Sequence, residues 1–140
     1  MTDAINLSQI NSDFTDNTEP KDEHLIELLK QAYKGEILCR MAIVNIALVK
    51  PFSDYKPTIS EPFRKHFIER TKTALPPPVH VYEQDGKFIM SDDYNAYHLY
   101  LEHNLPEVVC VILGDATITE GVEYVGDPFV LPPPKVEAVK

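Results

Sequence analysis

Four groups of residues in this 140-residue chain have types and spacings that do chemistry. The first is the adjacent carboxylate pair Asp92 and Asp93, followed by Tyr94 and Asn95. Hard cations such as Mg²⁺ favour carboxylate oxygens, so this pair is one starting point for a metal-bridged phosphate site. The commoner use of two acids at a helix start is to stabilise the positive end of the helix dipole. The second group is basic. Arg64, Lys65 and Lys72 lie within residues 50–72, where six bases stand against three acids. Phosphate contacts are one use for them, and a solvated helix face is the reading we take.

The third group is Tyr94, Tyr97 and Tyr100, spaced three apart. Aromatic rings with a polar tip are enriched at interfaces, so a partner-binding stripe is one expectation. The other is a split, with Tyr97 or Tyr100 packing on a sheet and Tyr94 half exposed. The fourth group is the five histidines and two cysteines. His98 and His103 are five apart, about 140° around a helix, so they do not chelate one metal. Cys39 and Cys110 lack a CxxC spacing, and Cys110 sits in an apolar run where a thiol is packing. No metal site, Gly-rich phosphate loop or Ser-centred nucleophile elbow is read here.

The elements that position these groups follow from periodicity. Residues 1–22 are rich in Asp, Glu, Ser, Thr and Asn and read as a disordered acidic arm. Leu25, Leu28, Leu29 and Ala32 at helical spacing, with Gly35 to cap the end, predict a helix over 23–34. Residues 42–49 (AIVNIALV) predict one strand buried on both faces and ended by Pro51. Ser60, Glu61 and Pro62 start a second helix, with Phe63 and Phe67 on its inner side. Pro76 to Pro78 close that segment. Alternation over 79–82, Asp85-Gly86 and residues 87–90 predict a β-hairpin. Ser91 is the expected cap of a third helix running to about residue 104, with Asp92 and Asp93 in its first turn. Residues 108–113 (VVCVIL) predict another doubly buried strand, and 121–125 a short last one. The result is an α/β (α+β) domain over 23–130, a small mixed sheet with packed helices, and a Pro-rich tail over 131–140.

Within that frame, residues 77–90 (PPVHVYEQDGKFIM), a helix, then residues 105–113 (LPEVVCVIL) resemble the ParB N-terminal and sulfiredoxin-like superfamily, with 44–51 similar to its opening strand. The resemblance implies a ParB/sulfiredoxin-like fold. It also implies nucleotide phosphate binding, phosphoryl or nuclease chemistry at a Gly-x-[Arg/His]-Arg-like motif starting the helix after the hairpin. The matching positions here are Asp92, Asp93, Tyr94 and Asn95, and none keeps the family's residue type. Two carboxylates more than cancel the half charge of a helix N-terminus, which disfavours direct phosphate binding. The sulfiredoxin cysteine is also missing.

The expectation is therefore a non-catalytic protein-interaction or regulatory module on a degenerate member of this superfamily, with a protein partner and no cofactor. The alternative is a nucleotide-binding or phosphoryl/nuclease enzyme that uses Arg64, Lys65 and Lys72, with Mg²⁺ on Asp92 and Asp93. A net charge of -9 opposes nucleic acid as a partner. No run approaches the roughly 20 apolar residues of a spanning helix, and residues 1–14 lack signal-peptide features, so no membrane partner and a cytoplasmic protein are expected.

Overall fold

The computed structural model describes residues 20–131. The N-terminal arm up to residue 19 and the tail from 132 lie outside the described residues. Among the described residues three α-helices and six strands follow in order: α1 (Glu23–Tyr33), β1 (Cys39–Asn45), β2 (Val49–Pro51), α2 (Glu61–Thr73), β3 (Val79–Gln84), β4 (Lys87–Met90), α3 (Tyr94–Glu102), β5 (Glu107–Leu113) and β6 (Val122–Phe129). The strands form one mixed sheet in the order β2-β4-β3-β5-β1-β6. The α+β class expected from the sequence is what the chain adopts.

Side-chain alternation along the strands sorts the core into two layers. Val108, Cys110 and Ile112 of β5, Val79 and Val81 of β3, and Ala42 and Val44 of β1 point to one face, where α2 and α3 supply Phe63, Phe67, Leu99 and Tyr100. Val111, Leu113, Tyr82 and Cys39 point to the other, where α1 supplies Leu25 and Ala32. β5 pairs along its whole length with β1, from Glu107 against Asn45 to Leu113 against Cys39. On its other side it runs parallel to β3.

Local chemistry explains the ends of the elements. α1 closes on Gly35 at φ +75°, with the Gly35 amide bonding the Ala32 carbonyl (3.0 Å) and the Glu36 amide reaching Gln31 (2.9 Å). Asp85 and Gly86, both at positive φ, turn the hairpin. At the end of α3 Asn104 takes the left-handed conformation, and the Leu105 amide reaches back to the Tyr100 carbonyl (3.0 Å).

Four expectations change. The 42–49 run is not one strand. β1 ends at Asn45, whose side chain accepts from the Ala47 amide (2.9 Å) and turns Ile46–Leu48 into a single 3-10 turn. Val49–Pro51 then reappears as β2 at the far edge, parallel to β4. β6 continues to Phe129, beyond the expected 125; as an edge strand it tolerates Pro128. α3 starts at Tyr94, three residues after Ser91. Asp22, assigned to the arm, is buried. It caps α1 at the His24 amide (3.0 Å) and accepts the Tyr82 hydroxyl (2.7 Å).

That dual role makes Asp22 a test of the α1 layer. Asp22→Ala removes a cap and leaves the buried Tyr82 hydroxyl without its acceptor, so it should cost about 2 kcal/mol in urea unfolding. In a double-mutant cycle Tyr82→Phe should cost distinctly less on the Asp22→Ala background than alone. Fully additive effects would contradict the contact.

Candidate functional site

Residues 92–95, where a phosphate site was expected from the sequence, are closed. Asp93 stands at the N-cap of α3, yet its carboxylate makes no cap bond to the helix. Its Oδ2 instead accepts from the His80 backbone amide (2.8 Å) and faces His80 Nδ1 (3.2 Å). At 2% exposure, Asp93 ties the start of α3 to β3. Burial opposes charge on the His80 imidazole. The hydrogen bond to Asp93, the charge of Asp93 and that of Asp92 outweigh it, and the His80 pKa lies above its ordinary value.

The neighbouring positions are also interior. Tyr94 is fully buried, where half exposure was expected. Its hydroxyl accepts from the Ser53 amide (3.0 Å) and shares a hydrogen bond with Ser53 Oγ (3.0 Å), while its ring meets Tyr55 edge-on. Asn95 is fully buried, and Ser91, the expected cap, is buried too. Of positions 92–95 only Asp92 is partly open to solvent.

The tyrosine stripe does not form on the surface. Tyr97 and Tyr100 are buried with Tyr94, because α3 is a short helix pressed against the sheet and packed by α2. The Tyr100 hydroxyl donates to the Pro77 carbonyl (2.9 Å) and accepts from the Val109 amide (3.2 Å), tying α3 to the starts of β3 and β5.

The basic group lies elsewhere. Arg64 pairs with Glu102, the last residue of α3. Hydrogen bonding to Arg64 holds the Glu102 carboxyl below its usual range. A nine-residue helix is about 13 Å long, so the Arg64 guanidinium stands a helix length from Asp92 and Asp93. The structure therefore does not bring the relocated phosphate ligands and the two aspartates together. Among the described residues no three His, Cys, Asp or Glu gather as a metal site. Cys39 and Cys110 are both buried, and burial pushes both thiols up.

A groove between α2 and α3 and a cleft beside α1 are open among the described residues, and neither contains His80 or Asp93. Between α2 and the end of α3 lies a groove of about 310 Å³, lined by Phe67, Ile68, Thr71, Lys72, His103 and Leu105. The His103 ring stacks on Phe67 at 5.6 Å and forms one wall. Arg64, Lys65, Ile68 and Lys72 share one face of α2 within about 100°. Ile68 is 40% exposed there. Lys65 and Lys72 were legible as a basic face. That His103 and Leu105 complete a groove with Lys72 was not, because it depends on how α3 ends.

On the opposite layer a cleft of about 550 Å³ opens between α1 and the ends of β3 and β5. His24, Leu28, Leu38, Tyr82, Leu113 and Asp115 lie around it, with the His24 ring edge-on to Tyr82 at 4.6 Å. Glu83 at its rim accepts from the Thr117 amide (2.6 Å), the Ile118 amide (3.3 Å) and the Thr117 hydroxyl. Burial opposes the Glu83 charge, but these bonds outweigh it and hold the carboxyl below its usual range. The sequence reading weighed His24 only as one of five histidines and placed none of these residues in a shared site.

Comparison with protein families, curated proteins and solved structures finds no match to this chain. Among the described residues no helix is long and apolar enough to cross a membrane.

Two measurements check these assignments. With a His80 pKa above the unfolded value of about 6.5, the folded state holds its proton more tightly. The pair's contribution is complete below that pH and is lost as pH rises through the raised pKa. Stability in urea should fall over that window, and Asp93→Asn should flatten the dependence; an equal slope in both proteins would contradict the pairing. Neither cysteine should react with a thiol-specific disulfide reagent until the chain is unfolded. Rapid native-state labelling would overturn the buried placement.

Proposed function

We propose that this chain is a non-catalytic protein-interaction module whose docking surface is the α2/α3 groove. The observation that carries the reading is the exposed face of α2. There Lys65 and Lys72 flank the exposed Ile68, beside an apolar trough floored by Phe67 and Leu105. A contiguous apolar patch rimmed by charge is the usual form of a peptide-docking surface. The rim is basic although the chain carries a net charge of -9. Its complement is an acidic partner segment with one or two apolar anchors: the anchors enter beside Ile68, and the carboxylates meet Lys65 and Lys72.

The fate of the other chemistry-bearing groups supports this. Asp93 and His80 are held by each other, the three tyrosines pack inside, and Arg64 is engaged by Glu102. On this reading the scaffold derives from the ParB and sulfiredoxin-like superfamily that the sequence resembles, with positions 92–95 turned into a helix anchor. The nucleotide alternative would need Arg64, Lys65 or Lys72 to reach Asp92 across the length of α3.

Fluorescence anisotropy with a short amphipathic helical peptide of Asp, Glu, Leu and Ala tests the reading. The unmodified chain should bind it, and raising ionic strength from about 0.05 to about 0.5 M should weaken binding. Ile68→Asp and Lys72→Glu should each weaken it about tenfold, which is about 1.4 kcal/mol. Both positions are exposed, so the variants should retain the native unfolding midpoint. Equal binding of a Lys-based peptide of the same pattern would contradict the reading. A Mg²⁺-dependent thermal shift with nucleoside triphosphates would replace it with the nucleotide alternative; a ligand at 100 times its Kd stabilises by about 2.7 kcal/mol.

A further inference from the structure

The cleft beside α1 has the size and the chemistry of a small-ligand site. Its volume of about 550 Å³ falls within the range of about 300–1,000 Å³ in which proteins hold small organic ligands. Leu28 of α1, Ile37 and Leu38 just before β1, and Leu113 at the end of β5 give it an apolar lining. Leu38 is 57% exposed, so much of that apolar surface still faces water.

The walls are fixed in advance. On one side the Tyr82 hydroxyl donates to Asp22 (2.7 Å) and the His24 ring stands edge-on to the Tyr82 ring, which pins α1 to β3. On the other the Gly114 amide donates to the Leu38 carbonyl (3.0 Å), which holds the chain after α1 against the end of β5. Glu83 fastens the segment beyond Asp115 through Thr117 and Ile118. A site whose walls are already in place loses little freedom on binding, so more of the contact energy appears as affinity.

Charge decides what the cleft takes. Asp115 and Glu83 are among its lining residues, Asp115 is exposed, and no Lys or Arg lines it. The three hydrogen bonds to Glu83 hold its carboxyl below the usual range, so it stays negative. An organic anion would meet two like charges there, and a wholly apolar ligand would gain nothing from them.

We propose that the cleft binds a small organic cation, a primary ammonium carried on an apolar chain or ring. The ammonium sits at Asp115, within the field of Glu83, and the apolar body lies along Leu28, Ile37, Leu38 and Leu113. The cleft is on the opposite layer from the α2/α3 groove and shares no lining residue with it, so this site stands or falls separately from the peptide-docking surface.

An amide NMR titration of the full chain with 4-phenylbutylamine tests it, at about pH 7.5, where an alkylammonium is fully charged. Saturable shifts should appear at Leu28, Leu38, Gly114 and Asp115 at about millimolar amine, and not at Ile68 or Lys72. 4-Phenylbutanoate, with the same apolar body and the opposite charge, should bind at least about fivefold more weakly. Asp115→Asn should lower the amine affinity about threefold to fivefold, as for an ion pair open to water, and should not lower that for the anion. Leu38→Ser should weaken both compounds. Both positions are exposed, so the variants should keep the native unfolding midpoint. Equal affinity for amine and carboxylate would overturn the proposal. So would the absence of a saturable shift at the cleft, or amine binding unchanged by Asp115→Asn.

Discussion

Burial of β5 on both faces is the constraint from which the rest of this structure follows. Its residues from Val108 to Leu113 are all buried, and each fully buried Val, Ile or Leu is worth about 1.5–3 kcal/mol relative to exposure. That stabilisation requires strands on both sides of β5 and helices above and below it. β1 and β3 meet the first demand; α1 on one layer and α2 with α3 on the other meet the second. By contrast, the exposed Arg64–Glu102 pair adds no more than about 1 kcal/mol, so it tunes the α2/α3 contact and does not create it. The two helices on one side leave a groove where they meet. The single helix on the other leaves a cleft beside it.

The same constraint accounts for residues that looked chemical. A short helix crossing a doubly buried strand presents nearly every side chain to protein, so Tyr94, Tyr97 and Tyr100 all become interior. Leaving a buried hydroxyl unsatisfied costs about 1–3 kcal/mol, and those of Tyr94 and Tyr100 are met by Ser53, Pro77 and Val109. Asp93 is drawn inward by the same rule. It serves the exposed edge of the helix dipole less than it serves the His80 amide and ring, and thereby fixes where α3 begins.

Much of the fold was legible because its signals are local. Gly35 closing α1, Asp85-Gly86 turning the hairpin, Ser60 opening α2 and the apolar run of β5 each carry their own physics. What was not legible depends on distant partners. Asn45 interrupts an apolar run that otherwise reads as one strand, and only the sheet order shows that Val49–Pro51 belongs to the opposite edge. Asp22 looked like the end of an acidic arm because the Tyr82 hydroxyl that holds it lies 60 residues away. Of the site, the basic face at Lys65 and Lys72 was visible from charge alone. The groove beside it arises from the turn at Asn104 that brings Leu105 and His103 under α2, a tertiary event with no periodic signature.

The central claim is that function resides on the α2/α3 surface and not at the start of α3. The most direct measurement is a two-dimensional amide NMR titration of the full chain with the acidic amphipathic peptide, followed on the same sample by Mg²⁺ and a nucleoside triphosphate. The account predicts saturable shifts at Ile68, Thr71, Lys72, His103 and Leu105 with the peptide, and none at His80 or Asp92 to Asn95 with the nucleotide. Shifts confined to residues 80 and 92–95 on nucleotide addition, with a silent α2, would contradict it.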